Sequence, residues 1–392
     1  MPGCLVSPRP PILPIISDTA VKSANRQYHT KVTQTSGSSS TELVLASKWA
    51  TPSNRRREGL RAAHSQDELE LLELLTYHLR LKSRQAGGVS PETLKTYAVA
   101  VRDFLIFTGP VEQPRFALQS LDEEVIEQYL VQARQRLRHD HRGSDHLSLG
   151  SIGTYLAGVR ALYRALTWAG VCGVNPAAQV RAPRDPTPAH TRKRAIPNGK
   201  VRELFAAVDA QTDPAVAARD RALLALGVTL GLRASEIVRL DVVDVGLSLA
   251  ELHVRDGKGG KQRQIPIPDG ALATLRKWLQ QRRVLEMRGK IMANQPGLLV
   301  SFHRGYFGRR LSVRGLRDIV NSYFSQVGLP ADMWGVHTLR RTAGTRLYRQ
   351  SRDLHVVSDI LGHASVTTSA IYAKLDTQIR REALSAAELL ED

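Results

Sequence analysis

At 392 residues the chain is long enough for two domains of ordinary size, each burying its own core. Its 55 Lys and Arg against 37 Asp and Glu leave a formal charge of +18, for which nucleic acid is the leading partner, a membrane surface or mere solubility being the other readings of charge alone. Two cysteines, Cys4 and Cys172, exclude a disulfide framework or a cysteine-rich zinc site and point to a reducing, cytoplasmic compartment; no apolar run approaches the roughly 18 residues of a membrane span, and the start lacks a secretory signal.

Residues 1–64 are rich in Pro, Ser, Thr and Arg and read as a disordered N-terminal arm, in which Arg55, Arg56 and Arg57 are either a phosphate contact or a solvated charge run. At Ser65 the pattern turns helical. Ser65-Gln66-Asp67-Glu68 forms a capping box ahead of Leu69, Leu72, Leu75 and Leu79, and Ser90-Pro91 opens a second helix carrying Leu94, Tyr97, Val101, Phe104 and Leu105. A third follows Ser120 to Glu123 with Val125, Ile126, Tyr129 and Leu130; a fourth carries Ile152, Tyr155, Leu156, Val159, Leu162, Tyr163 and Leu166 and ends at Gly170. These aromatics lie on the apolar stripes, so they are expected in a core rather than as base-stacking platforms. Arg160 and Arg164 fall between the apolar positions and give the bundle of residues 65–172 a basic side. Residues 173–197, rich in proline and carrying Arg192, Lys193 and Arg194, read as a linker, either a strap across DNA or a solvated tether.

The second domain, 198–392, opens with a helix near 198–209 and an apolar stretch from Arg219 to Leu230, then Gly231-Leu232-Arg233-Ala234-Ser235-Glu236. An Arg beside an apolar wall needs a carboxylate; a structural Arg233–Glu236 pair is the plain alternative to a functional one. Residues 251–255 and 262–267 alternate like strands around a glycine-rich tip holding Lys258, with Lys261 on the same hairpin; the pattern is not a nucleotide P-loop. Helices are expected over 271–287 and 312–327, with the basic loop Arg304 to Arg310 between them. His337 and Arg340 then share one face at a helix N-terminus, which makes a seat for a phosphate, and His363 and Tyr372 add a polarising donor and an oxygen nucleophile. The tail, with Leu375, Ile379, Leu384, Leu389 and Leu390, is too short and one-sided to stabilise itself and needs a surface of its own domain or of a neighbouring subunit.

The contexts G-L-R-A-S-E, G-K-G-G-K, H-T-L-R-R-T, L-G-H and a Tyr nine residues after that His together resemble the tyrosine recombinase, or phage integrase, family, and the compact layout with short insertions resembles its Xer-like recombinases and the integrases of mobile elements. The resemblance implies a mainly α protein with a small β-sheet in an α+β catalytic domain, a four-helix SAM-like core-binding domain before it, and a C-shaped clamp on double-stranded DNA. It implies a site-specific recombinase in which Tyr372 attacks the scissile phosphorus, Arg233 and Arg340 clamp the phosphate, Lys258 is the general acid, His337 the general base, and His363 bonds a non-bridging oxygen. Glu236 would steady Arg233 or His337, and Arg160, Arg164, Arg192, Lys193, Arg194 and Lys261 are the candidate DNA contacts. It further implies no metal and no cofactor, a nucleoid-associated location, and a homotetramer on synapsed sites, with a related second recombinase as a further partner. An inactive DNA-binding protein of the same fold and a type IB topoisomerase-like swivelase are the rival readings. The pair Ala373-Lys374 stands where many relatives have Thr-His.

Overall fold

The computed structural model describes residues 48–83, 88–109, 115–135, 147–183, 194–255, 262–292 and 294–362, together with residues 369 and 372. The chain divides into two compact units, 1–185 and 186–392.

In the first unit the described helices are α1 (Pro52–His64), α2 (Glu68–Leu81), α3 (Pro91–Thr108), α4 (Glu123–Gln135) and α5 (Leu149–Trp168). Phe104, Tyr129 and Tyr163 are fully buried with Leu71, Leu72, Leu74 and Leu75 of α2 and the inner faces of α3 and α5, so they are core, as their place on the apolar stripes predicts. Both of these tyrosine hydroxyls have an acceptor, Tyr129 on Asp103 at 2.8 Å and Tyr163 on the Leu118 carbonyl at 3.2 Å.

Helix α1 corrects the sequence expectation, which ran the disordered arm to residue 64. Thr51 caps it, Pro52 occupies its first turn, and it buries Gly59, Ala62 and Ala63 rather than large apolar residues, which is why periodicity did not reveal it. Arg55 is taken up too, its guanidinium lying 3.6 Å from the Trp168 ring centroid, so the Arg55–Arg57 run is not simply a solvated stretch. Residues 1–47 lie outside the described residues. The capping box also shifts. Ser65 closes α1, and Asp67 caps α2, accepting from the Leu69 and Glu70 amides at 2.9 and 3.1 Å. Gln66 turns inward between the two helices at φ +49°, donating to the Phe116 carbonyl at 2.8 Å and accepting from the Thr108 hydroxyl at 2.6 Å.

The expected linker is shorter than 173–197. Ala177 and Val180 are buried in the first unit's core, and Ile196 is buried in the second, where its amide donates to Thr342 Oγ1 at 2.9 Å. Between them, residues 184–193 lie outside the described residues.

The second unit is mainly helical: α6 (Asn198–Asp209), α7 (Pro214–Leu224), α8 (Ala234–Arg239), α9 (Asp269–Met287), α10 (Val313–Gln326), α11 (Val336–Ser351) and α12 (Leu354–Leu361). One antiparallel sheet, β1 (Val245–Gly246), β2 (Glu251–Val254) and β3 (Arg263–Pro266), is ordered β1-β2-β3. The register pairs Leu252 with Ile265 and Val254 with Arg263. Helix α7 runs into a π-helical turn, Ala225–Thr229, whose apolar residues are buried. A buried polar group sits inside this core: Arg219 bonds Asp220 at 2.7 Å, and the Tyr323 hydroxyl donates to the same carboxylate at 2.8 Å. Among the described residues no helix is long and apolar enough to cross a membrane.

Candidate active site

Arg233 leaves the π turn in an extended conformation and stands at the start of α8. Glu236, three residues on, reaches back: it accepts from the Arg233 amide at 2.9 Å and from Arg233 Nη1 at 2.8 Å. The structural pair is therefore present, and Arg233 does more than form it, since Nη2 donates to the Gly362 carbonyl at 3.1 Å.

Two more arginines meet there. Arg263, on β3, places Nη1 and Nη2 each 3.1 Å from the two oxygens of Glu236 and its Nε 3.1 Å from the Ile360 carbonyl. Arg340, one turn into α11, donates to the Gly231 carbonyl at 2.8 Å and the Leu361 carbonyl at 2.7 Å, and lies 3.8 Å from Glu236. Among the described residues, three guanidinium charges against one carboxylate leave two positive charges in excess. The side chains of Arg233, Arg263 and Arg340 are 20%, 13% and 3% exposed, so water screens that excess poorly. This is an electrostatic seat for an anion.

The protonation states follow. Burial alone pushes the Glu236 carboxyl up, but hydrogen bonds from Arg263 and Arg233 together with the Arg263 charge hold it below its ordinary value. Burial, then Arg233, pulls Arg340 down to about 10, which still leaves it protonated at neutral pH.

Tyr372 completes the described group. It is 4% exposed, packed on Val357 and Leu361 with Leu347 and Tyr348 beside it. Burial pushes its phenol above the ordinary value, while the charges of Arg340, Arg233 and Arg341 pull it back part of the way. The ring thus lies within electrostatic reach of the arginine seat as a neutral phenol. His337 stands on the first turn of α11, at the surface, one turn before the buried Arg340.

Sequence reasoning missed Arg263. Its signal was available: Arg263 and Ile265 alternate onto one face of β3, and a buried face there calls for a counter-charge. Arg341, half-buried and bonded to Thr338 Oγ1 at 2.5 Å, was missed as well.

Of the other candidates, Lys258, Lys261, Arg192, Lys193 and His363 lie outside the described residues. Arg164 is exposed. Arg160 is not: it donates to the Ala177 carbonyl at 2.8 Å and to that of Val180, and its own carbonyl accepts from Asn175, so it fastens the segment after α5 rather than facing outward. Arg194 is exposed and paired with Asp332 at 2.9 Å.

Residues 195–378 match the phage integrase family. The chain is 33% identical over 223 residues to the tyrosine recombinase XerC of Thermodesulfovibrio yellowstonii, covering 56% of this chain and 70% of that protein. In fold it is similar to the XerH site-specific recombinase in its post-cleavage complex with palindromic difH substrate (TM-score 0.61, 21% identity, 84% of this chain and 94% of that one). It is also similar to lambda integrase in a tetramer bound to a Holliday junction (TM-score 0.54, 17% identity, 78% and 76%).

Proposed function

The chain belongs to the phage integrase family of tyrosine recombinases, which makes it an enzyme of site-specific DNA recombination, and from that premise we propose how its own residues cut and rejoin the strand. The observation that carries the reading is the buried ring of Tyr372, packed on Leu361, whose carbonyl accepts from Arg340 of a buried arginine cluster with positive charge to spare. A scissile phosphate is the anion that fills such a seat and places phosphorus near an oxygen nucleophile.

Arg233 and Arg340 clamp the non-bridging oxygens, and the bonds of Arg233 to Glu236 and of Arg340 to two carbonyls fix both forks beforehand. The Tyr372 phenol gives up its proton to His337 as its oxygen bonds to phosphorus, the bond to the 5′-oxygen breaks, and Lys258 protonates that leaving oxygen. His363 bonds a non-bridging oxygen. The phosphotyrosyl ester replaces one phosphodiester with one of similar energy, so a 5′-hydroxyl from the partner strand reverses the step without ATP, metal or cofactor.

The wider assembly belongs to the same reading. Residues before the catalytic unit form a helical core-binding domain that closes with it as a C-shaped clamp on duplex DNA, and the tail after Tyr372 docks on a neighbouring protomer of a synaptic tetramer. Arg164, Arg192, Lys193, Arg194 and Lys261 contact the backbone, whereas the bonds of Arg160 favour a structural role for it. Work in the cytoplasm, at the nucleoid, goes with this substrate.

Tyr372→Phe should keep the ring packing and DNA affinity and lose the covalent adduct on a nicked trapping substrate. Undiminished adduct from that variant would end the nucleophile assignment.

A further inference from the structure

Helix α11 contains a buried glycine, Gly344, one turn beyond Arg340. A glycine in a helix interior is a poor choice on conformational grounds, because alanine fits the same backbone and loses less entropy on folding. Gly344 has no left-handed φ to excuse it. What it does have is a neighbour: a Cβ built there would fall 2.5 Å from Cζ of Tyr372 and 2.6 and 2.8 Å from its two Cε atoms, closer than a Cβ ever approaches a ring. The three atoms nearest that missing methyl all belong to the end of the ring that bears the hydroxyl.

We infer that Gly344 is a positioning residue for the nucleophile: the bare backbone of α11 forms the floor of a socket that sets the depth of the Tyr372 ring and so the place of its phenolic oxygen. The walls are Val357 and Leu361 of α12, with Leu347 and Tyr348 one turn further along α11. Helix α11 therefore carries both the clamp and the floor, Arg340 and Gly344 being four residues apart on one face. Anchoring both to a single rigid element fixes the spacing between the phosphate seat and the attacking oxygen, which is where a small error is expensive in rate. A side chain at 344 would lift the ring by on the order of 1 Å to restore ordinary contact distances.

This inference rests on Tyr372 being the nucleophile, and its test separates the two. In full-length Gly344→Ala, DNA affinity should stay at the wild-type value while the single-turnover rate of adduct formation on a nicked duplex falls by about 100-fold, the cost of roughly 1 Å of misplacement. The pH profile of the residual cleavage should move to lower pH, because the displaced phenol leaves the burial that raises its pKa. Tyr372→Phe assayed alongside reports on the nucleophile itself: adduct lost there with a wild-type rate in Gly344→Ala would overturn the socket and leave the nucleophile standing. A second measurement needs no variant. In DNA-free wild-type protein, tetranitromethane should nitrate the exposed Tyr306 well before Tyr372, read by peptide mass; equal rates at the two would overturn the socket even if Gly344→Ala failed to fold.

Discussion

Bringing Arg233, Arg263 and Arg340 together places three like charges side by side, and the cost of that arrangement falls on Glu236. Glu236→Gln keeps the shape and removes the compensation, so it should destabilise the second unit by about 3 kcal/mol or more, the usual consequence of breaking a buried pair from one side. The acid limb tests the cause. Since the folded state holds the Glu236 carboxyl below its unfolded value, its contribution is present above the unfolded pKa and is lost as pH falls through the lower folded one. Thermal melts from neutral to acid pH should therefore show wild type and Glu236→Gln converging as pH drops; a gap constant with pH would mean that the carboxylate charge is not what matters. At this scale the sequence was legible where spacing along one helix carried the information: Glu236 three residues from Arg233, Arg340 three from His337. Arg263 offered only its alternation with Ile265 on the inward face of β3, and its partner is 27 residues away, so spacing along one element did not single it out. Gly344 was hidden for a related reason, its neighbour lying beyond another helix.

Helix α1 shows what governs legibility for whole elements. Large apolar residues at helical spacing announced α2 to α5, although α2 buries Leu71 and Leu74 beside the expected Leu72 and Leu75 and leaves Leu69 exposed. The inner face of α1 is Gly and Ala, and small residues give no such signal even when they let two helices approach closely. The fully buried Trp49 just ahead of α1 is the other half of this attachment. Trp49→Ala should cost about 3–5 kcal/mol of the first unit's stability in denaturant titrations, as removal of a buried aromatic does. A change within about 0.5 kcal/mol, the range of an ordinary surface substitution, would show that the segment is not part of the core.

For the molecule as a whole, the charge of +18 governs how it meets its substrate. Binding that rests on several phosphate contacts releases counterions, so affinity for duplex DNA should fall steeply, by about 10³-fold or more between 50 and 200 mM salt if six or more phosphates are neutralised. A nearly flat salt dependence would contradict a backbone clamp. The two-unit plan was readable from composition because a proline-rich basic stretch separates two apolar patterns. Its exact limits were not, since Ala177, Val180 and Ile196 are claimed by cores through contacts that local composition does not encode.

Arg233, Arg263 and Arg340 all donate to carbonyls of one short segment, Ile360, Leu361 and Gly362, the last held at φ +64°. During synthesis that segment is made after nearly everything it holds. A nascent chain that has already built the sheet and most of the helical core still lacks the carbonyls that orient its arginines, and lacks Tyr372 as well. The arginines can therefore take up this arrangement only after residues 360–362 have been made, so a product stopped short of them carries most of the basic charge without the bonds that orient the anion seat.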